Sequence, residues 1–283
     1  MKHKYFEEIC RGLEVTEEGK SLFDRIIKAP AQRRHYILSD IDSLAKHLGL
    51  TYALIALYRQ QVNTGFVLAD PLKPAERKEK KIHDTSTGIT FLLQWNPHRE
   101  LRKVHRLLIE RGVIAENVNE SLLINRDKNG KACYLCKANI DLQNPAEILF
   151  EIYLAGEKYY AGANFAYITN NHFTIMNAEH RPQKYRKKIL EALNDFIDMT
   201  DGHFRAIFNG LAGVSIQEHE HLQVTTEKFP IEEIRIEKKD IEYETGDIRV
   251  SQPKYYISTW VIEGTNKKKT INVADRIIRT WHT

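Results

Sequence analysis

Cysteine is scarce in this chain, with three thiols in 283 residues, at Cys10, Cys133 and Cys136. That number excludes a disulfide scaffold and leaves a metal or redox use for the Cys133-Tyr134-Leu135-Cys136 pair in a reducing compartment. Long apolar runs are missing too. The longest, Tyr52 to Tyr58, falls far short of the roughly 20 residues a membrane-spanning helix needs. Met1-Lys2-His3-Lys4 leads into a charged segment, without the apolar core of a secretory leader. These absences predict a cytoplasmic protein with no membrane partner. A bias of charge is also lacking: 42 Lys and Arg face 38 Asp and Glu, a net charge of +4. Such a balance suits an anionic ligand but does not supply the dense basic stripe expected of a nucleic-acid binder.

Hydrophobic residues make up 42% of the chain, enough to bury a sizeable core. Residues 1 to about 70 read as helical. Leu22, Phe23, Ile26 and Ile27 recur at helical spacing, as do Ile41, Leu44, Ala45 and Leu48, with Ser39 a candidate N-cap for the second stripe. The proline- and charge-rich run from Pro71 to Lys81 reads as a solvated linker. From Gly88 the texture is mixed, with strands expected at 89–95, 149–154, 164–169, 172–177, 204–208, 231–238 and 254–262. Helices are expected after Arg102 through Val104, Leu107 and Leu108, from Pro182 through Ile197, and at 272–281. Lys267-Lys268-Lys269 is assigned to an exposed turn. The expected division is a helical region and linker over 1–84 and a catalytic domain over 85–283.

The most informative stretch is His219-Glu220-His221-Leu222-Gln223. In a strand, alternate residues share a face, so His219, His221 and Gln223 would line one surface and Glu220 the other, where it is given no role. The approach, Asn209-Gly210-Leu211-Ala212-Gly213-Val214-Ser215, is small and glycine-bearing, as suits a backbone that comes close to phosphate oxygens. An imidazole beside such a cradle suggests a nucleophile for phosphorus. Zinc takes four ligands in a tetrahedron, so the cysteine pair needs two more from His172, His180, His203 and His219.

Pro97-His98-Arg99-x-x-Arg102, Cys133-x-x-Cys136, His180, the Asn209 loop and His219-x-His221-x-Gln223 follow one another in a set order. In that order, over residues 89 to 235, the chain resembles the galactose-1-phosphate uridylyltransferase branch of the histidine-triad superfamily. That branch is close to the diadenosine tetraphosphate and nucleoside-diphosphate-sugar phosphorylases. The resemblance implies an α+β fold, a histidine-triad-like antiparallel sheet with flanking helices, here preceded by the N-terminal helical region. It implies that His221 attacks the α-phosphorus and carries the nucleotidyl group, with Gln223 bonded to the phosphoryl oxygens. It further implies structural zinc on Cys133, Cys136, His180 and His219. Arg99 and Arg102 would clamp the diphosphate, with Asn209, Gly213 and Ser215 lining the same phosphates.

The chemistry is coherent in its own terms. A neutral imidazole is a good nucleophile near neutral pH. Glutamine cannot give up a proton as a histidine could, so the leaving group should depart as an anion. The expected substrates are a nucleotide sugar or dinucleoside polyphosphate, the acceptor phosphate or a sugar phosphate, and the assembly a monomer or homodimer. The rivals are a zinc-stabilised nucleotide- or nucleic-acid-binding protein without chemistry, and a nucleotide hydrolase with water as acceptor.

Overall fold

The computed structural model describes residues 16–67, 78–95, 105–110, 112, 114–165, 167–210 and 213–281, with the side chains of 78 and 105–107 excepted. Three helices come first: α1 (Glu17–Lys28), α2 (Arg34–Leu48) and α3 (Leu50–Asn63). Thr16 caps α1 by accepting a bond from Gly19 N at 3.1 Å, and Leu22, Phe23 and Ile26 are its buried face. Helix α2 buries Ile37, Ile41 and Leu44. It begins well before Ser39, whose carbonyl accepts a bond from the Ser43 hydroxyl at 2.9 Å inside the helix. The expected cap is therefore corrected: the chain turns helical directly after Pro30 and a short 3-10 turn over Ala31–Arg33. Helix α3 contains the Tyr52–Tyr58 run and is buried almost all round, the pattern of a central core helix.

Strands β1 (Lys78–His83) and β2 (Thr90–Trp95) form an antiparallel hairpin, so the last part of the predicted linker is strand. Its lysines pair in register with the residues of β2. A short helix α4 (His105–Glu110) buries Leu108, and α5 (Lys137–Gln143) follows the cysteine pair. Next come β3 (Leu149–Leu154), β4 (Glu157–Ala163), β5 (Phe173–Asn177), α6 (Lys187–Met199), β6 (Arg205–Ile207) and β7 (His221–Thr225). These strands make one antiparallel sheet in the order β3-β4-β5-β7-β6. The chain closes with β8 (Ile241–Thr245), β9 (Ile248–Ser251) and β10 (Val261–Gly264), a second antiparallel sheet, and helix α7 (Lys267–Trp281). Helices and antiparallel sheets together make the fold α+β, as expected.

Three predicted strands shift. The described residues of 164–169 lie outside any strand: β4 ends at Ala163, and Asn164 N closes the turn on His172 O at 2.9 Å. Residues 231–238 hold a 3-10 turn, Pro230–Glu233, because the proline at its start suits a turn and removes a ladder donor. Only the end of 254–262 is strand, from Val261. The lysine triplet opens α7, where the Lys267 ammonium lies 2.7 Å from both Asp195 and Asp198 of α6.

One face of the main sheet is the core. Tyr159, Ala161, Phe173, Ile175, Leu222 and Val224 pack there in a single cluster with Ile26, Ile41, Leu44, Leu54 and Leu57 of the first helices and Phe196 of α6. Polar bolts add direction. Gln61 of α3 donates to Ala146 O at 3.2 Å and accepts from Ile148 N at 3.1 Å, and Thr51 donates to Thr200 O at 2.9 Å. Alternation along β7 then turns His221 and Gln223 to the opposite face, where Met176 stands across from His221 and Thr174 across from Gln223.

Candidate functional site

Residues 125–140 make a compact knuckle. Asp127 accepts bonds from Asn129 N (2.8 Å) and Lys131 N (2.9 Å), and Gly130 has φ of 78°, a turn that glycine adopts without strain. Arg126 and Ala132 bridge across it, which carries Cys133 and Cys136 to the start of α5. Buried Asn139 locks the base of the knuckle through Ile124 N (2.9 Å), Ile124 O (2.8 Å) and Cys133 O (2.9 Å).

Two histidines from distant parts of the chain complete a cluster. Cys133 Sγ lies 3.2 Å from His219 Nδ1, and Cys136 Sγ lies 3.4 Å from His180 Nδ1 and 3.6 Å from His219 Nδ1. The four donor atoms all fall within 4.8 Å of one another, close enough to share one metal ion. His219 Nε2 lies 2.8 Å from Asn177 O. A carbonyl only accepts, so Nε2 carries the proton and Nδ1 turns a lone pair toward the thiols. Hydrogen bonding from Cys133, with the bond donated by Asn125, holds the Cys136 thiol well below its ordinary range, while the same pairing and burial push Cys133 up. One thiol of the pair is thus readily ionised, as metal ligation requires. His172 is elsewhere: its Nδ1 accepts from Ile168 N at 3.2 Å in the loop after β4. His203, exposed before β6, is outside the cluster as well.

His221 opens β7, two residues on from His219, which itself precedes the strand; the expected strand is therefore shifted to 221–225, and His219 lies outside it. The His221 ring is 5% exposed, and its Nδ1 lies 2.8 Å from His219 O. That carbonyl again dictates the tautomer: Nδ1 donates and Nε2 keeps the lone pair. Burial pulls the His221 pKa below its ordinary value and favours the neutral ring, outweighing the bond to the His219 carbonyl, which acts the other way. Gln223 is half-buried on the same face, with Ile207 and Thr174 as ladder neighbours. Asn209 follows β6, and its carbonyl accepts from Gln183 Nε2 at 3.0 Å. Gly213 turns back onto Gly210 O at 2.9 Å, and Ser215 is exposed in the same loop. Arg99 and Arg102 lie outside the described residues.

Glu220, left without a role by the sequence, sits between the two histidines on the core side. It is fully buried and accepts two bonds from Arg186, at 2.6 and 2.7 Å, one from Tyr159 at 3.0 Å and one from Asn177 at 2.9 Å. Arg186 also grips Glu157, which it holds down to about 2. The alternation of the motif hides this network, because only the partner elements show that the outward-reading position faces a core.

A family model matches residues 115–226; its description is "domain of unknown function (DUF4922)". That span contains the cysteine pair, His180, Asn209, His219, His221 and Gln223. Curated relatives match just over half of the chain. They are galactose-1-phosphate uridylyltransferases. The protein of that name from Clostridium acetobutylicum is 31% identical over 158 residues, 53% of this chain and 32% of the relative. The Fusobacterium nucleatum protein is 26% identical over 162 residues, 54% of this chain and 32% of that one. The chain thus spans about a third of the length of the galactose-1-phosphate uridylyltransferases it matches. Among solved structures, yeast Ap4A phosphorylase in complex with AMP is similar at 20% identity and a TM-score of 0.34, over 66% of this chain and 56% of that one. No described helix is long and apolar enough to cross a membrane.

Proposed function

We propose that this protein is a nucleotidyltransferase or phosphorylase that works through a nucleotidyl-histidine on His221. The observation that carries the reading is the His221 ring, neutral, with Nδ1 bonded to the His219 carbonyl and the Nε2 lone pair left for attack. The similarity of just over half the chain to galactose-1-phosphate uridylyltransferases supports the same conclusion. In the first half-reaction Nε2 forms a bond to the α-phosphorus of a nucleoside diphosphate sugar or dinucleoside polyphosphate. The bond from that phosphorus to the bridging oxygen breaks, and a sugar phosphate or nucleotide leaves as an anion. In the second, an oxygen of phosphate or of a sugar 1-phosphate takes the nucleotidyl group and restores the imidazole. Gln223 donates its amide hydrogens to the phosphoryl oxygens without protonating the leaving group. Asn209, Gly213 and Ser215 line the phosphates, and Arg99 and Arg102 offset their charge.

Cys133, Cys136, His180 and His219 would hold zinc. Bond lengths of about 2.3 Å to sulfur and about 2.0 Å to nitrogen put tetrahedral ligand atoms roughly 3.5 Å apart, which the observed sulfur–nitrogen separations of 3.2, 3.4 and 3.6 Å fit. The metal's contribution is structural: it ties the knuckle to the strand that carries His221. Catalysis resides in 85–283, with the helices before it as packed support, in a cytoplasmic monomer or homodimer.

Intact-protein mass spectrometry after brief incubation with UDP-glucose, ADP-glucose and diadenosine tetraphosphate tests this. A gain of one nucleoside monophosphate, absent in His221→Ala, is the expected result. Binding without an adduct for any donor would leave the non-catalytic binding protein, and donor consumption without an adduct would leave the hydrolase.

A further inference from the structure

Gln183 lies four residues before α6 and is only 1% exposed, yet every polar group of its side chain is used. Its Oε1 accepts from His221 N at 2.7 Å, and its Nε2 donates to His221 O at 2.9 Å and to Asn209 O at 3.0 Å. Its own backbone N donates to Gln217 O at 2.9 Å. One residue therefore clasps the backbone of His221 and both ends of the loop from Asn209 to Gln217.

The ladder explains why a side chain is needed there. Strand β6 pairs with β7 only from Gln223 to Thr225, so it stops short of His221. On the other side, β5 reaches His221 through Met176. The Gln183 amide, with one acceptor and one donor for the same residue, takes the place of a peptide group in the missing stretch of β6. Its second amide hydrogen reaches the loop that leaves β6.

We propose that Gln183 is a positioning residue that sets the separation between the His221 imidazole and the 209–217 loop. The inference rests on the reading of His221 as nucleophile and of that loop as the phosphate cradle. In-line attack requires the imidazole nitrogen within about 3–3.5 Å of phosphorus, and a misplacement near 1 Å can cost on the order of a hundredfold in rate. The clasp acts on that distance without touching substrate.

The test is single-turnover formation of the nucleotidyl adduct, followed by intact mass with the same three donors, in wild type, Gln183→Met and Gln183→Asn. Methionine keeps the length and removes all three side-chain bonds; asparagine keeps the amide one methylene short. The expected result in Gln183→Met is a rate constant at least tenfold lower. The donor dissociation constant should stay within threefold, with unchanged metal content and final adduct fraction per folded protein. A smaller adduct fraction forming at a rate within twofold of wild type would overturn the proposal, since a residue needed only for folding alters how much protein reacts and not how fast. If Gln183→Met does not fold, Gln183→Asn decides by the same criteria. If wild type itself forms no adduct, the nucleophile reading falls and the inference falls with it, an outcome distinct from an unaffected variant.

Discussion

Glu220 keeps its charge inside the protein because a guanidinium, a phenol and an amide meet it there. Breaking a buried pair by removing one partner leaves an uncompensated charge, at a cost of about 3–5 kcal/mol. Arg186→Met should lower the stability measured by urea titration by about that much. Two further carboxylates, Glu157 beside Arg186 and Glu147 elsewhere in the fold, respond to pH in opposite directions. Arg186 holds Glu157 at about 2, below its ordinary 4.5, so the native state binds fewer protons there and stability rises with pH from about 2 to 4.5. Burial pushes Glu147 up to about 7, so between 4.5 and about 7 the native state keeps a proton that the unfolded chain has lost. Stability contributed by that site therefore falls as pH rises through that window, by on the order of 3 kcal/mol. Urea titrations at about pH 5 and about pH 8 should show the fall in wild type and most of it gone in Glu147→Gln. At this scale the sequence pointed to candidates where residue type carries the chemistry, as for the cysteine pair, which the structure brings to His180 and His219. It was silent on Gln183, Glu157 and Arg186, whose side chains are ordinary until the fold buries them against partners.

At the scale of elements, the knuckle of residues 125–140 has little apolar material of its own: Ile140 meets Leu149 and Met176 in a small cluster apart from the main core. Its attachment runs through the cysteine–histidine cluster. On the proposed zinc site, Cys133→Ser should therefore lower zinc content, measured by a colorimetric chelator, and lower the melting temperature. Hydrogen exchange after metal removal should speed first in 124–143 and reach β5 and β7 later, because those strands also pack on the main core. Strand and helix types were legible where periodicity was strong, as in α1, α2, β3 and α6. The misassigned stretches, 164–169, 231–238 and 254–260 of the expected 254–262, alternate like strands, yet none of their described residues belongs to a ladder, and alternation without a ladder partner does not make a strand.

At the scale of the molecule, helices α1 to α3 and the five-stranded sheet share one core, since α3 is buried on every side and the sheet's inner face is one of its walls. A single cooperative transition is expected. Tryptophan fluorescence reports on Trp95, Trp260 and Trp281, all outside those helices, and far-UV circular dichroism reports on the helices themselves. The two urea curves should coincide, and two separated midpoints would show that the parts unfold independently. The sequence, read with its resemblance, determined the α+β class and named the candidate metal ligands and the candidate nucleophile, because residue types and their order are legible without the fold. The resemblance already named His180 and His219, and only the tertiary structure brought their ring nitrogens to the two thiols while leaving His172 and His203 apart. It alone turned Glu220 into a buried anchor and placed Gln183 on His221, because these depend on which distant backbone segments come within hydrogen-bond reach.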